Sequence, residues 1–222
     1  MAEFKVVEKF VSINGEGTKS GQLAVFIRFA GCNLACNYCD TMWANKVDVP
    51  YETMTEFEIY DYIKTTGVKN VTLTGGEPLL REGIDKLLKI LSSDKSIMVE
   101  VETNGSIPIE QYRDISENMS FTIDYKLGGS GMESHMQMEN FENIMPTDTV
   151  KFVVSHMEDL ANAKNIIDKY NLRERCIVYI SPVFGRIEPR EIVDYMIEHK
   201  LNNVNLQLQM HKIIWDPEAR GV

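Results

Sequence analysis

Short apolar, β-branched runs alternate along this chain with stretches in which apolar residues recur every three or four positions. The runs predict strands at 23–29, 70–73, 97–102, 121–125, 150–154, 176–181 and 204–209. Between them, Thr55-Glu-Phe-Glu58 reads as a capping box that opens a helix to about residue 65. A second helix at 79–91 would place Leu80, Ile84, Leu87, Leu88 and Leu91 on one face. Two more are expected at 157–170 and 189–199, the latter opening on Pro189. Strand, helix, strand in repetition implies right-handed crossovers and a largely parallel sheet. The expected fold class is α/β, a partial, open β/α barrel of about six largely parallel strands, built as one domain over residues 1–222.

In such folds reacting groups gather at the carboxyl ends of the strands, and the polar motifs of this chain fall there. Thr74-Gly75-Gly76-Glu77-Pro78 follows the second predicted strand and Glu102-Thr103-Asn104-Gly105 ends the third. Asp124-Tyr125-Lys126 ends the fourth, Ser181-Pro182 the sixth, and Gln207, Gln209 and His211 the last. Taken singly each is weak, since Gly-Gly-Glu-Pro alone is most often a turn. Their common position directs them into one cavity. The formal net charge of −10 disfavours direct binding to a polyphosphate backbone.

The loop after the first predicted strand carries Cys32, Cys36 and Cys39 in a C-x₃-C-x₂-C spacing with no fourth cysteine nearby. Disulfide pairing is one reading. Met1-Ala-Glu-Phe-Lys5 shows no secretory signal and no apolar run reaches membrane-span length, so a cytoplasmic protein is expected, where disulfides are rare. Structural zinc needs a fourth ligand, but His135, His156, His199 and His211 are all far downstream and Cys176 is isolated at the head of an apolar run. Burial as small core residues conflicts with the polar Asn33, Asn37 and Asp40. The spacing favours an iron–sulfur cluster held by three thiolates, with one iron left open. Met132, Met136 and Met138, beside Gly128-Gly129-Ser130-Gly131, read as a flexible segment with an apolar side, either a lid or, the favoured reading, an ordinary surface loop.

The three-cysteine loop after a first strand, Tyr38 before its last cysteine and Gly75-Gly76-Glu77 after the next strand resemble the radical S-adenosylmethionine superfamily. The resemblance implies a [4Fe–4S] cluster on Cys32, Cys36 and Cys39 whose open iron is chelated by S-adenosylmethionine, the source of a 5′-deoxyadenosyl radical. Gly75 and Gly76 would let backbone approach the methionine moiety, Glu77 would accept from its ammonium, Lys126 would meet its carboxylate, Asn104 would lie near the ribose, and Gln209 would complete that pocket. No side chain is assigned a catalytic role, because the cofactor generates the radical.

A narrower resemblance extends over the chain. Asn14-Gly15-Glu16-Gly17, Arg28, Cys39-Asp40-Thr41, Glu102-Thr103-Asn104-Gly105 and the ending His211-Lys-Ile-Ile-Trp-Asp216 with Arg220-Gly221-Val222 are similar to the 7-carboxy-7-deazaguanine synthase family. That family implies radical ring contraction of 6-carboxy-5,6,7,8-tetrahydropterin with loss of ammonia, a step toward queuosine, by a Mg²⁺-dependent homodimer supplied by an electron donor such as flavodoxin or ferredoxin. On this resemblance Glu16 meets the hydrogen-bonding edge of the pterin, Arg28 grips the substrate carboxylate, Thr41 binds Mg²⁺ and Asp40 orients its shell. Asn14, Thr74 and His211 complete the substrate pocket, and the C-terminal tail folds back toward the site. Bland readings stand beside these: Asn14-Gly15 is itself a hairpin-turn signal, Arg28 is equally a surface strand residue, and Thr41 equally caps a turn. The competing functions are a glycyl-radical activating enzyme, which shares the cluster motif but acts on a protein partner, and a non-catalytic metal-binding module.

Overall fold

A computed structural model describes residues 1–115 and 117–222. One mixed sheet of nine strands organises the chain, in the order β3-β1-β2-β4-β5-β6-β7-β8-β9. Seven of them are mutually parallel: β2 (Leu23–Phe29), β4 (Asn70–Gly75), β5 (Met98–Thr103), β6 (Met119–Tyr125), β7 (Thr149–Val154), β8 (Ile177–Pro182) and β9 (Val204–Leu206). β1 (Glu3–Ile13) runs antiparallel to β2, and β3 (Glu52–Thr55) antiparallel to β1. The sheet is not closed: β3 and β9 are its edges. The expected open, largely parallel sheet of about six strands is present with seven parallel strands, and the antiparallel β1 and β3 at one edge were not foreseen. β1 opens Glu-Phe-Lys-Val, with Glu3 and Lys5 exposed and Phe4 and Val6 buried. That is the alternation of a strand with one wet face, and a search for continuous apolar runs passes over it.

The helices α1 (Glu56–Thr66), α2 (Ile84–Ser93), α3 (Met157–Lys169) and α4 (Pro189–Glu198) fill the crossovers. Their apolar stripes share one core with alternate strand residues: Ile59, Ile63, Leu87, Leu88, Leu160 and Ile167 join Val71, Leu73, Val99, Val101, Phe121, Ile123, Val150 and Phe152. Because strand side chains alternate, the residues between these face the other way. They are Thr72 and Thr74, Glu100 and Glu102, Thr122 and Asp124, Lys151, Tyr179 and Ser181. The sheet is thus apolar toward its helices and polar on its opposite face, which is where a site can be built.

The capping box of α1 is formed as expected: Glu58 N donates to Thr55 Oγ1 at 3.3 Å and Thr55 N donates to Glu58 Oε2 at 2.8 Å. Thr55→Ala is expected to cost about 1 kcal/mol, read as a lower denaturation midpoint; an unchanged midpoint would mean that pairing of β3 alone fixes the helix start. The second helix departs from expectation. A 3₁₀ turn at Pro78–Leu80 precedes α2, and Leu80 is 45% exposed, off the core face. Arg81 breaks the run by folding back, its guanidinium donating to Ala30 O at 2.6 Å and Gly31 O at 3.3 Å. β9 is also shorter than expected; Gln207 N still bonds Ile180 O at 2.9 Å, after which the chain leaves the sheet. A short helix, α5 (His211–Ile214), follows.

The Gly128–Met138 stretch is a surface segment, as the favoured reading has it, held in place by turns. It winds through short 3₁₀ turns at Gly128–Ser130, Glu133–His135 and Met138–Phe141. Ser130, Asn140 and Phe141 are buried, and Met136 and Met138 pack on the core. Asn37 N, in the cysteine loop, donates to Ser130 O at 3.0 Å, so the segment supports that loop from below. Among the described residues, no helix is long and apolar enough to cross a membrane.

Candidate active site

A cavity of about 450 Å³ opens at the carboxyl ends of the parallel strands, on the polar face of the sheet. Asn14, Glu16, Arg28, Cys32, Cys36, Cys39, Asp40, Thr41, Thr74, Gly75, Gly76, Asn104, Lys126, Gln209 and His211 all line it. Of the residues assigned a binding role in the sequence, Glu77 does not line it, and neither do Ser181 and Gln207 of the strand-end motifs.

The cysteine loop leaves β2 and is pressed against the end of β4. Gly76 is what permits this: a Cβ there would lie 1.9 Å from Gly31 O and 2.7 Å from Cys32 N. Two backbone bonds clamp the approach, Gly76 N to Phe29 O and Glu77 N to Gly31 O, each 3.0 Å. Glu77 itself turns away. Its side chain is fully buried, Oε1 accepting from Leu79 N at 3.0 Å and Thr103 Oγ1 at 2.9 Å, and Oε2 from Asn104 N at 2.7 Å. Burial pushes its carboxyl up, against those three bonds. Glu77 was expected as the ammonium acceptor; here its carboxylate is taken up by donors of the protein and does not line the cavity. It ties the end of β4 to the end of β5.

Asn104, released from β5 at that point, reaches the loop: its Nδ2 donates to Asn33 Oδ1 at 3.1 Å and approaches Cys32 Sγ at 3.4 Å. Leu34 N points at the same sulfur, also at 3.4 Å. Cys39 Sγ lies 3.6 Å from Thr41 Oγ1, which joins the thiol end of the cavity to the Thr41 end. All four cysteines are free thiols. Burial pushes the Cys36 thiol up, and nearby Lys126 opposes this. A cationic neighbour and amide donors aimed at sulfur suit thiolates bound to a cluster.

Between the two ends runs a line of alternating charge. Lys126 Nζ is 2.9 Å from Asp124 Oδ2, Lys151 Nζ is 3.6 Å from the same oxygen, and Lys151 Nζ is 3.3 Å from Glu16 Oε2. Burial pushes the Asp124 carboxyl up, but the two ammoniums outweigh it and hold it low. Burial likewise works against the charge on Lys126 and Lys151, and their carboxylates reverse it, raising both. Glu102, beside them, is raised by burial, with Lys151 opposing.

At the far end the loop between β1 and β2 is closed by Asn14 N to Gln22 O and Gly21 N to Asn14 O, each 2.8 Å. It is a nine-residue excursion, 14–22, rather than a tight Asn-Gly hairpin. Asn14 is buried, with Oδ1 accepting from Thr72 Oγ1 at 3.0 Å and Nδ2 without a protein partner. Arg28 faces the cavity and donates from Nε to Glu8 Oε2 at 3.0 Å, its register partner on β1. α5 closes against this loop through Met210 N to Gly15 O at 3.1 Å. A Cβ at residue 15 would meet His211 Nδ1 at 2.8 Å, so Gly15 sets how near His211 comes, and burial lowers the His211 imidazole. Lys212 Nζ lies 3.8 Å from Asp40 Oδ2. Residues 217–222 line the cavity mouth, with the Arg220 guanidinium 4.2 Å over the Trp43 ring.

Lys151 and Glu8 were not among the residues singled out. A signal existed for the first: Val150-Lys151-Phe152, like Val99-Glu100-Val101-Glu102, places charge inside an otherwise apolar strand. Charge at period two there marks a polar inner face.

Comparison with known proteins agrees with this geometry. The radical SAM superfamily profile matches residues 26–164. A 7-carboxy-7-deazaguanine synthase of Clostridium acetobutylicum is 61% identical over 219 residues, 99% of this chain and 99% of that protein. Another of that name, from Chlorobaculum tepidum, is 36% identical over 100% of this chain and 98% of its own length. Among solved structures, QueE from Escherichia coli superposes with a TM-score of 0.76 over 94% of this chain and 95% of that one, at 20% identity, which speaks to fold alone. Membership in the superfamily carries a [4Fe–4S] cluster and S-adenosylmethionine with it, and the three free thiols at the cavity end fit that cluster. The chain belongs to the 7-carboxy-7-deazaguanine synthase family, within the radical SAM superfamily.

Proposed function

We propose that this chain contracts 6-carboxy-5,6,7,8-tetrahydropterin to 7-carboxy-7-deazaguanine with loss of ammonia, as a carbon–nitrogen lyase of queuosine and other 7-deazapurine biosynthesis. One observation carries the reading. A single cavity holds three thiols at one end, Thr41 beside Cys39, and Glu16 and Arg28 beyond, groups matched to a small carboxylated heterocycle. A glycyl-radical activating enzyme has no use for that second set.

Cys32, Cys36 and Cys39 would hold the cluster, and with S-adenosylmethionine it would supply the radical chemistry at the pterin C6. The protein's part is to hold and orient. Lys126, beside Cys36 and Asp124, meets the methionine carboxylate. Gly75 and Gly76 line the cavity with backbone beside that moiety, their Cα hydrogens turned to Phe29 and Gly31; Asn104 completes its surroundings, and Gln209, bonded to Glu16, stands between it and the pterin end. Arg28 exchanges or shares its Glu8 partner for the substrate carboxylate. Glu16 accepts from the N–H groups of the pterin edge, and Asn14 offers it the unpartnered Nδ2. Thr74 and His211 close the pocket.

Mg²⁺ belongs to the same proposal, with Thr41 Oγ1 as its protein ligand and Asp40 behind it. Among the described residues no three His, Cys, Asp or Glu side chains group around one ion, and Mg²⁺ commonly takes few protein ligands, keeping waters and substrate oxygens. The remaining assignments are a homodimer of single-domain chains, a tail of residues 217–222 folding to the site, a flavodoxin or ferredoxin as donor, and a cytoplasmic location. Four unpaired thiols support the last.

The test is anaerobic incubation of reconstituted protein with the carboxylated tetrahydropterin, S-adenosylmethionine, Mg²⁺ and a reductant, read by product mass. Cleavage of S-adenosylmethionine with the pterin left unchanged would defeat the substrate assignment. Arg28→Ala is expected to keep its iron content while the apparent KM for the pterin rises about ten- to a hundredfold, the worth of a charged hydrogen bond. An unchanged KM would remove Arg28 from the site.

A further inference from the structure

The inward face of β7 carries one charged side chain whose purpose the reaction does not supply. Lys151 is only 9% exposed. A buried ammonium is costly unless paired, and a methionine would fill the same space without that cost. Its ion-pair partners are Glu16 Oε2 at 3.3 Å and Asp124 Oδ2 at 3.6 Å, with the Glu102 carboxyl also close by. Asp124 already has a closer cation in Lys126, at 2.9 Å. Among the described residues Glu16 forms no ion pair besides that with Lys151. Its other contacts are neutral: Ser181 Oγ to Oε1 at 3.3 Å and Gln209 Nε2 to Oε2 at 3.4 Å.

Glu16 needs such holding. It sits in the irregular 14–22 excursion, outside any strand or helix, whereas Lys151 stands on a central strand of the sheet. Its three partners come from β7, from β8 and from the segment after β9. They pin the carboxylate from the sheet side. A carboxylate has about four acceptor positions, so it retains capacity toward the cavity for paired N–H donors of a ligand.

We propose that Lys151 is a positioning residue for substrate recognition. Its ammonium fixes the Glu16 carboxylate as an anionic acceptor for a heterocycle that presents adjacent ring N–H and amino groups. The assignment rests on the pterin reading of Glu16. It makes Lys151 part of what selects the substrate, without touching either the substrate or the reacting atoms.

The experiment measures binding of 6-carboxy-5,6,7,8-tetrahydropterin by titration calorimetry, anaerobically, to reconstituted protein with S-adenosylmethionine bound and no reductant. K151M and E16Q should each weaken the pterin about tenfold or more, while S-adenosylmethionine affinity stays within about twofold. The double variant should bind no more weakly than E16Q alone, because Lys151 acts through Glu16. K151R should restore most of the affinity. Additive losses, or S-adenosylmethionine weakened as much as the pterin, would overturn the assignment. If E16Q binds the pterin normally, the reading of Glu16 fails, and this inference with it. If E16Q is weak and K151M is normal, only the role of Lys151 fails. Should K151M not fold, K151Q, which keeps a donor but no charge, is read by the same criteria.

Discussion

Alanine at Cys32, Cys36 or Cys39 is expected to abolish the visible iron–sulfur absorbance and all turnover, whereas Cys176→Ala keeps both. Each cluster iron held by the protein takes one thiolate. With three thiolates lining the cavity there is none to spare. Removing one would leave two irons without a thiolate. Cys176 is differently placed: its thiol points to Leu172 O at 3.5 Å, burial pushes it up to about 12, and it does not line the cavity. A thiol held in that form is a poor ligand. Iron and sulfide per chain after anaerobic reconstitution, together with S-adenosylmethionine cleavage, decide the matter. Cluster loss in Cys176→Ala, or its retention in any of the other three, would contradict the assignment.

Gly76→Ala should be nearly as severe, for a reason of packing. The added methyl carbon would stand 1.9 Å from Gly31 O and 2.2 Å from Gly31 C. Both are backbone atoms, so no side-chain rotation relieves the clash. Either the cysteine loop or the end of β4 must move, and the two 3.0 Å backbone bonds that join them are lost with the movement. Overpacking of this kind costs about 1–3 kcal/mol and occasionally more. The larger effect falls on the thiols, because Cys32 follows Gly31 directly. The expected outcome is a folded protein with a lowered thermal midpoint and little incorporated iron. Gly128→Ala is the control, since the new methyl there meets only the end of Glu133, at 3.5 Å. Full iron content in Gly76→Ala would show that the close approach is unnecessary.

The two variants probe features of different legibility. The cysteine spacing is local, a matter of eight residues, and is visible in any linear reading. The need for glycine at residue 76 is not: it arises because β2 and β4 are adjacent and parallel, bringing residue 31 over residue 76. Glu77 makes the same point in reverse. Next to the glycines it reads as part of the cofactor pocket, yet the 3₁₀ turn of Pro78 and the end of β5 draw its carboxylate inward. Parallel strands rich in Val and Ile declared themselves, since both the strand and its burial are encoded in a short run. β1 and β3 did not, because antiparallel strands with one wet face carry a diluted signal.

By itself, the sequence determined the element types, the parallel crossovers, the cysteine loop and the strand ends where polar motifs gather, all of which depend on neighbours a few residues apart. Only the tertiary structure decided which side chains share a cavity and with what charge. Glu16 and Lys151 are 135 positions apart, and Glu16 lies 165 and 193 positions from Ser181 and Gln209. Nothing in the local chemistry of either residue says that the other will be its counter-ion. Pairings at that distance follow from strand order and from which face of the sheet the helices cover. Those in turn are set by the packing of the whole core, to which every apolar run contributes at once.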